Sequence, residues 1–307
     1  MAGCERKTRR DVYEDVTNAI IAAIERGAGR YGMPWHHDGA SASRPVNAVS
    51  GKPYRGANTL LLWAAAETAG YGSGRWATYR GWASNGAQVR KGEKAATVIF
   101  WKTFRGDDGD SDEAANNDLS DHRPRFMARS YSVFNAAQVD GDAPPAFTPL
   151  AEAERHAGAN SFFANLNIKL ISGGSEALYL PSTDTIHMPA FASFRDWQGH
   201  ASVLFHEAAH ASGAKHRLDR DLSGRFGTWA YAAEELVAEF SAAFVLADLG
   251  IAHEPRSDHA AYLSGWLELL KSDPRALVTA ASKAQAAADW MQAQQPENSA
   301  IEFRQAS

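Results

Sequence analysis

Cysteine is almost absent from this sequence of 307 residues, because Cys4 is the only one. A single thiol cannot form an intramolecular disulfide, and it also excludes zinc clusters built from several cysteines. Long apolar runs are missing too, since the longest, at 60–66, is far too short to span a bilayer. No signal-peptide pattern is found either. We therefore expect a cytoplasmic protein that has no membrane partner.

The amino-acid composition shows no strong bias, since 45% of the residues are hydrophobic and 22% are charged. These values are typical of globular proteins and exclude wholesale disorder. The net charge of −5 is unevenly placed: residues 1–105 hold 16 Lys and Arg against 8 Asp and Glu, whereas 106–307 hold 15 against 28. Five of the nine tryptophans lie in the basic part. A basic, aromatic front and an acidic back predict two modules with different partners.

The spacing of apolar residues predicts an α+β fold in two domains, with the second mostly helical. A proline-rich linker at 141–149 separates a domain at 1–140 from a domain at 150–307. An acidic stretch at 106–122, rich in Asn, Ser and Gly, is expected to be a mobile loop. The predicted helices are 11–26, 58–69, 194–211, 230–249, 258–271 and 275–293, and the predicted strands are 95–104, 126–135, 177–180 and 185–188.

The strongest chemical signal is the HExxH motif formed by His206, Glu207 and His210. Positions i and i+4 lie one above the other on a helix, so both imidazoles can bind one ion, most simply zinc. Glu207 then stands beside them as a general base for water activated by that ion. A predicted hairpin precedes this helix, and the order resembles the zincin metallopeptidases, in which an edge strand lies beside the active-site helix.

Two residues compete for the role of third metal ligand. His216 completes the longer HExxHxxGxxH signature, but the Met-turn that this signature expects is missing, because only Met291 follows in a helical stretch. Glu235 and Glu239 share one face of the next predicted helix and resemble the ExxxD element of gluzincins. There the first carboxylate binds zinc and the second orients a ligand histidine. We favour Glu235, with Glu239 behind it, and leave His216 as the alternative.

Tyr231 lies one turn before Glu235 and could donate a hydrogen bond to a developing oxyanion. From the residues alone, three classes of function are open. The chain could be a DNA-binding protein with a metallopeptidase domain, a cytoplasmic metallopeptidase that acts on a protein partner, or a binding module with a silent metal site.

The N-terminal domain interleaves aromatic, basic and glycine residues. Flat rings can stack on unpaired bases while cations follow the phosphates, and this combination is typical of proteins that bind single-stranded nucleic acid. No convincing helix-turn-helix is found, which disfavours double-stranded readout. The predicted DNA-binding residues are Tyr54, Arg55, Asn58, Trp76, Arg90, Lys91, Lys94, Trp101 and Lys102.

These motifs together resemble the ArdC-type antirestriction proteins of conjugative plasmids, and the N-terminal domain is also similar to the front of TraC-type plasmid primases. The resemblance covers most of residues 10–250 in the family's order. It implies a single-stranded-DNA-binding domain joined to a zincin-like domain, and it strengthens Glu235 over His216. It also implies protection of incoming plasmid DNA from host restriction, with restriction-modification subunits as possible targets. The matching pieces are Tyr54 to Asn58, Trp76-x-Thr78, Val89 to Lys94, Tyr131 to Gln138, Tyr179 to Pro189, His206 to His210, Arg217-Leu218 and Tyr231 to Glu239.

Overall fold

The computed structural model describes residues 12–27, 44–104, 125–142, 150–225, 227–253 and 259–296. The predicted α+β class is confirmed. The predicted loop at 106–122 and most of the predicted linker lie outside the described residues. The helices are α1 (Val12–Gly27), α2 (Ala57–Ala69), α3 (Tyr79–Ser84), α4 (Glu152–Ala164), α5 (Trp197–Ser212), α6 (Trp229–Asp248), α7 (His259–Ser272) and α8 (Ala276–Ala293).

The strands form three small sheets. In the first, the order is β1-β2-β5-β4, and the long β4 and β5 form an antiparallel pair. β3 pairs with β6, and the third sheet has the order β7-β9-β8. The strands are β1 (Val46–Asn47), β2 (Arg75–Thr78), β3 (Gln88–Val89), β4 (Ala96–Phe104), β5 (Arg125–Asn135), β6 (Val139–Asp140), β7 (Lys169–Gly174), β8 (Leu178–Leu180) and β9 (Thr185–Pro189).

Helix α2 packs against the first sheet, and the side chain of Asn58 joins the helix to strand β4 by two hydrogen bonds. The Asn58 amide donates to the carbonyl oxygen of Ile99 at 2.7 Å, and its oxygen accepts from the Ile99 amide nitrogen at 2.8 Å. Apolar residues of α2 contact both faces of β4, because Leu62 clusters with Val98 and Leu61 belongs to the cluster of Ile99. Successive strand residues point to opposite faces, so β4 is covered on both faces at Val98 and Ile99, whereas the next residue, Phe100, is exposed.

The core is continuous between the two predicted domains. Ile20 and Ile24 of α1 are fully buried, and they belong to the same apolar cluster as Leu270 of α7. Trp63 of α2 packs against Phe244 of α6, with ring centroids 5.9 Å apart. The first two helices are therefore part of the same packed interior as the last three.

A buried polar junction reinforces this shared core. Arg44 lies over the ring of Phe244 at 4.6 Å, donates to Gln285 at 3.1 Å and approaches Asp248 at 3.5 Å. The Gln285 side chain also accepts from the backbone nitrogen of Gly56 at 3.1 Å. A buried arginine is costly unless it is hydrogen-bonded, so these contacts tie the start of α2 to α6 and α8.

Candidate functional site

Helix α5 presents the HExxH side chains to the interior. Asp196 caps it by accepting a hydrogen bond from the backbone nitrogen of Gly199 at 2.9 Å. His206 and Glu207 are 2% and 3% exposed, although both are polar. Buried polar side chains need partners, and for His206 helix α6 supplies them through Glu235 and Glu239.

Three side chains converge between α5 and α6. The Nε2 atoms of His206 and His210 are 3.2 Å apart, and they lie 3.3 and 3.5 Å from the carboxylate oxygens of Glu235. Donor atoms bound tetrahedrally at 2.0–2.1 Å would be separated by about 3.3 Å. The three donors therefore match the ligand triangle of a tetrahedral metal site, with a fourth position left for water or substrate.

The rival third ligand is placed elsewhere. His216 is 62% exposed, and its Nε2 atom faces the carboxylate of Asp184 at 3.4 Å. Among the described residues, His206, His210 and Glu235 are the group whose donor atoms could hold a metal ion. The structure thus brings Glu235 to the two histidines and directs His216 to the hairpin between β8 and β9.

Electrostatics favour a charged carboxylate in this group. Burial opposes ionisation of Glu235, but the hydrogen bond with His206, the charges of His210 and His206 and the hydrogen bond with Tyr231 together lower its pKa to about 2. Burial likewise opposes the charge on His210, yet the carboxylates of Glu234, Glu235 and Glu207 raise its pKa overall. The pocket is thus an anionic environment suited to a cation.

The donors open into a cleft of about 230 Å³. Glu207 and Tyr231 both line it, and Leu178 and Tyr179 bring in strand β8, which lies at the end of its sheet. Gly224 also lines the cleft, and a Cβ atom there would lie 2.7 Å from the backbone nitrogen of Tyr231. The chain between α5 and α6 therefore presses closely on the start of α6 and forms one wall.

Glu239 lies behind His206, one helical turn beyond Glu235. Its carboxylate is 3.6 Å from the Nδ1 atom of His206 and 3.8 Å from the Nε2 atom of His253. It is fully buried. This is the position that an orienting carboxylate would occupy.

Two of the predicted DNA-binding rings are buried. Trp76 is 1% exposed and Tyr54 is 6% exposed, and both pack with Leu62, Val98 and Val133. Burial also raises the pKa of the Tyr54 hydroxyl to about 12, against a hydrogen bond with Asn47. Neither ring presents a face to solvent on which a base could stack.

The predicted basic and amide residues of the DNA-binding surface differ from one another, since some are held in contacts within the protein and others are exposed. Asn58 bridges α2 and β4, and Arg55 forms an ion pair with Asp289 of α8. Arg90 is hydrogen-bonded to Glu93 at 3.0 Å. The side chains of Lys91 and Lys94 are exposed, whereas those of Trp101 and Lys102 on β4 lie outside the described part of the structure.

Comparison with known proteins decides the family. A family model described as the N-terminal domain of anti-restriction factor ArdC matches residues 10–134, and one described as a zincin-like metallopeptidase matches 157–283. The Mn(II)-bound crystal structure of the antirestriction protein ArdC from plasmid R388 is 35% identical, with a TM-score of 0.75 over 93% of this chain and 98% of that one. The chain belongs to the ArdC antirestriction family.

Further relatives extend the comparison. The metal-free R388 ArdC structure is 34% identical, with a TM-score of 0.73 and the same coverage. A protein of Sinorhizobium fredii described as uncharacterized, y4eC, is 55% identical over 98% of both chains. The DNA primase TraC of Escherichia coli is 33% identical over 303 residues, and the chain spans only 27% of its length. Among the described helices of this ArdC-family chain, none has the length and apolar character needed to cross a bilayer.

Sequence reasoning missed several exposed rings and one buried ion pair. Phe100 and Tyr79 are each 51% exposed and Tyr131 is 42% exposed, whereas the predicted rings of Tyr54 and Trp76 are buried. The run 98–101 is apolar throughout, so alternation could not reveal which side faces solvent. Arg220 and Glu234, which contact each other beside His210, carried no spacing signal either, because they come from separate segments.

Proposed function

We propose that this chain is an antirestriction protein that binds single-stranded DNA and carries a zinc-dependent peptidase centre, protecting incoming plasmid DNA from host restriction. The observation that carries the proposal is the triangle of His206, His210 and Glu235, with Glu207 in the same cleft. Membership of the ArdC family supplies the antirestriction context.

The proposed ligands are His206, His210 and Glu235. Two imidazoles and one carboxylate with an open fourth position suit zinc, and they also accept other divalent ions of the first transition row. The R388 relative has been crystallised in a Mn(II)-bound form, which supports binding of a divalent ion by this chain. The single cysteine of the chain is Cys4, far from the motif in sequence, so the donor set rests on nitrogen and oxygen.

The proposed reaction is hydrolysis of a peptide bond. When bound, the ion supplies a Lewis acid that polarises a carbonyl oxygen and lowers the pKa of a water molecule. Glu207, held beside the ligands and buried at 3% exposure, takes the proton from that water and passes it to the leaving nitrogen. Tyr231 lines the cleft from the opposite helix, and its hydroxyl, which is hydrogen-bonded to Glu235 in this structure, would turn to donate to the developing oxyanion. Strand β8, at the end of its sheet, can pair with an extended substrate.

The proposed DNA surface centres on the exposed Phe100, Tyr131 and Arg129 of the β4–β5 pair, next to the buried Val98 on the same face. The rings of Phe100 and Tyr131 are 5.3 Å apart and perpendicular, and both are exposed. Arg129 lies directly opposite Phe100 in the strand register, and its side chain is exposed too. Lys91 and Lys94 are exposed as well and lie in the turn that leads into β4. Two open rings beside cations are the pattern that binds single strands by stacking and phosphate contact.

Replacing Phe100 or Tyr131 with alanine in the full-length protein should weaken binding to a single-stranded oligonucleotide by about 5- to 150-fold per ring. The reason is that base–aromatic stacking contributes about 1–3 kcal/mol per base. Fluorescence anisotropy with a labelled mixed-sequence oligonucleotide, repeated at several salt concentrations, measures the effect. Affinity should also fall steeply with salt, because phosphate contacts release counterions.

The matched control is Phe191→Ala, since Phe191 is also 51% exposed but belongs to the metallopeptidase part of the chain. Its replacement should leave oligonucleotide affinity within twofold of the wild type. An equal loss in all three variants, or equal affinity of the wild type for duplex DNA, would contradict the stacking surface.

Protection itself is tested by plasmid transfer. An unmodified plasmid is conjugated into a restricting host with or without the gene for this chain, and transconjugants are counted. We expect a higher yield with the gene, and the same yield in a host without restriction. No difference in the restricting host would reject the antirestriction proposal, whatever the metal centre does.

A further inference from the structure

A buried arginine–carboxylate pair lies directly behind the proposed metal centre. Arg220 lies in the chain between α5 and α6, and its guanidinium forms a fork with Glu234: Nη2 to Oε1 at 2.7 Å and Nε to Oε2 at 3.1 Å. The side chains are 5% and 13% exposed. A two-point fork of this kind fixes the orientation of the carboxylate as well as its charge.

The guanidinium is itself anchored to the end of α5. It donates through Nη2 to the carbonyl oxygen of Ala209 at 2.7 Å and through Nη1 to the hydroxyl of Ser212 at 2.8 Å. A cation at the C-terminal end of a helix is favoured by the exposed carbonyls there. Arg220 therefore has almost no freedom to swing away from Glu234.

Gly213 makes this approach possible. Its φ of −78° is open to any residue, so no left-handed conformation demands glycine. A Cβ atom, however, would lie 2.9 Å from Nη2 and 3.0 Å from Cζ of Arg220. The glycine that follows the HExxH motif thus provides room for the guanidinium, and His216 beyond it does not join the donor group.

Glu234, held in this orientation, contacts one of the proposed ligand histidines. Its Oε1 atom lies 3.4 Å from the Nδ1 atom of His210, while the Nε2 atom of the same ring points into the donor triangle. A carboxylate on the far nitrogen keeps the proton there, leaves the near nitrogen as the ligand and makes it more basic. Glu239 lies on the corresponding side of His206, but at 3.6 Å from its Nδ1 atom it is just beyond hydrogen-bond distance.

We propose that Glu234, clamped by Arg220, is a positioning residue that selects the tautomer and the ring orientation of His210 for metal binding. The inference rests on the proposed metal centre. It assigns a purpose to three residues at once: Glu234 orients the ligand, Arg220 orients Glu234, and Gly213 admits Arg220. The neighbouring Glu235 binds the ion directly, so two successive glutamates of α6 serve the same site in different ways.

The test is metal affinity and ligand geometry in the full chain, measured with Zn²⁺ by chelator competition and with Co²⁺ by visible absorption. Glu234→Gln keeps the volume but removes the charge, and it should weaken Zn²⁺ binding by about 10- to 100-fold. The Co²⁺ spectrum of this variant should change as well, because the ring of His210 is no longer held. Arg220→Lys, which cannot form the fork, should shift both quantities in the same direction.

The chain offers a matched control in Arg217→Lys. Arg217 lies in the same segment, forms a fork with Asp184 at 2.7 and 2.8 Å, and donates to the carbonyl oxygen of Ala211 on α5 at 2.8 Å. The variant Arg217→Lys should therefore lower thermal stability as Arg220→Lys does. It should leave the Zn²⁺ affinity within twofold of the wild type and the Co²⁺ spectrum unchanged. Thermal unfolding of the metal-free variants shows that each is folded.

Unchanged affinity and spectrum in Glu234→Gln, in a wild type that binds metal tightly, would overturn the positioning role alone. Equal losses in Arg217→Lys and Arg220→Lys would overturn it too, because the effect would then be general loosening of the segment. A wild type that binds neither ion would overturn the metal centre and this inference with it.

Discussion

Replacing Glu235 with alanine is expected to weaken divalent-metal binding by more than about 100-fold. The variant removes one of the three proposed ligands, whose donor atoms lie within 4.8 Å of one another, and even the loss of a residue that only orients a ligand costs about 10- to 100-fold. Metal content after gel filtration, measured by elemental analysis, and chelator competition report the change. His210→Ala should behave in the same way.

The control is His216→Ala, because that histidine is the rival ligand. It is 62% exposed and faces Asp184, so its removal should leave metal content at the level of the wild type. Full metal content in Glu235→Ala, together with loss in His216→Ala, would show that the wrong third ligand was chosen.

Replacing Glu207 with glutamine should lower any peptidase activity by about 10²- to 10⁴-fold, the usual contribution of a general base. Glutamine keeps the size of the side chain but cannot take up the proton, so metal content and oligonucleotide affinity should not change. Restriction-modification subunits, incubated with wild type or variant and analysed by mass spectrometry, are the proposed substrates.

The same variant separates two routes to protection when it is compared with the wild type in the transfer assay. We expect protection to fall with peptidase activity. Full protection by Glu207→Gln would mean that DNA binding alone shields the plasmid, and cleavage of subunits by this variant would contradict the role of Glu207.

The donor triangle of the proposed metal centre was largely predictable because its information is local. His206 and His210 are four residues apart on one helix, and the i,i+4 rule alone places both rings on one side. Glu235 comes from another helix, but two carboxylates on an otherwise apolar face indicated that they needed a partner. Arg220 gave no such indication, because a single charged residue in a connecting segment is typical of the surface.

The N-terminal surface was harder to predict, for a physical reason. Tryptophan and tyrosine serve equally well as core and as stacking platform, and composition does not distinguish the two. Trp76 lies on the central β2, where the sheet and α2 cover it, whereas Phe100 lies farther along β4 and remains open. Which ring is open depends on where α2 crosses the sheet, and that is a tertiary feature. Strand β7 was missed because its side chains are all exposed and show no alternation.

Because α1 and α2 share a core with α6, α7 and α8, neither truncation nor recombination should separate the two halves of the chain without loss of stability. A gene fragment that ends near residue 140 would expose Ile20, Ile24 and Trp63, which are covered by the later helices in the whole chain. A recombinant that joins only one half to another protein would expose the same apolar side chains. The block of about 300 residues should therefore move between proteins as a whole, and its match to the much longer TraC does extend over 303 residues, through both halves.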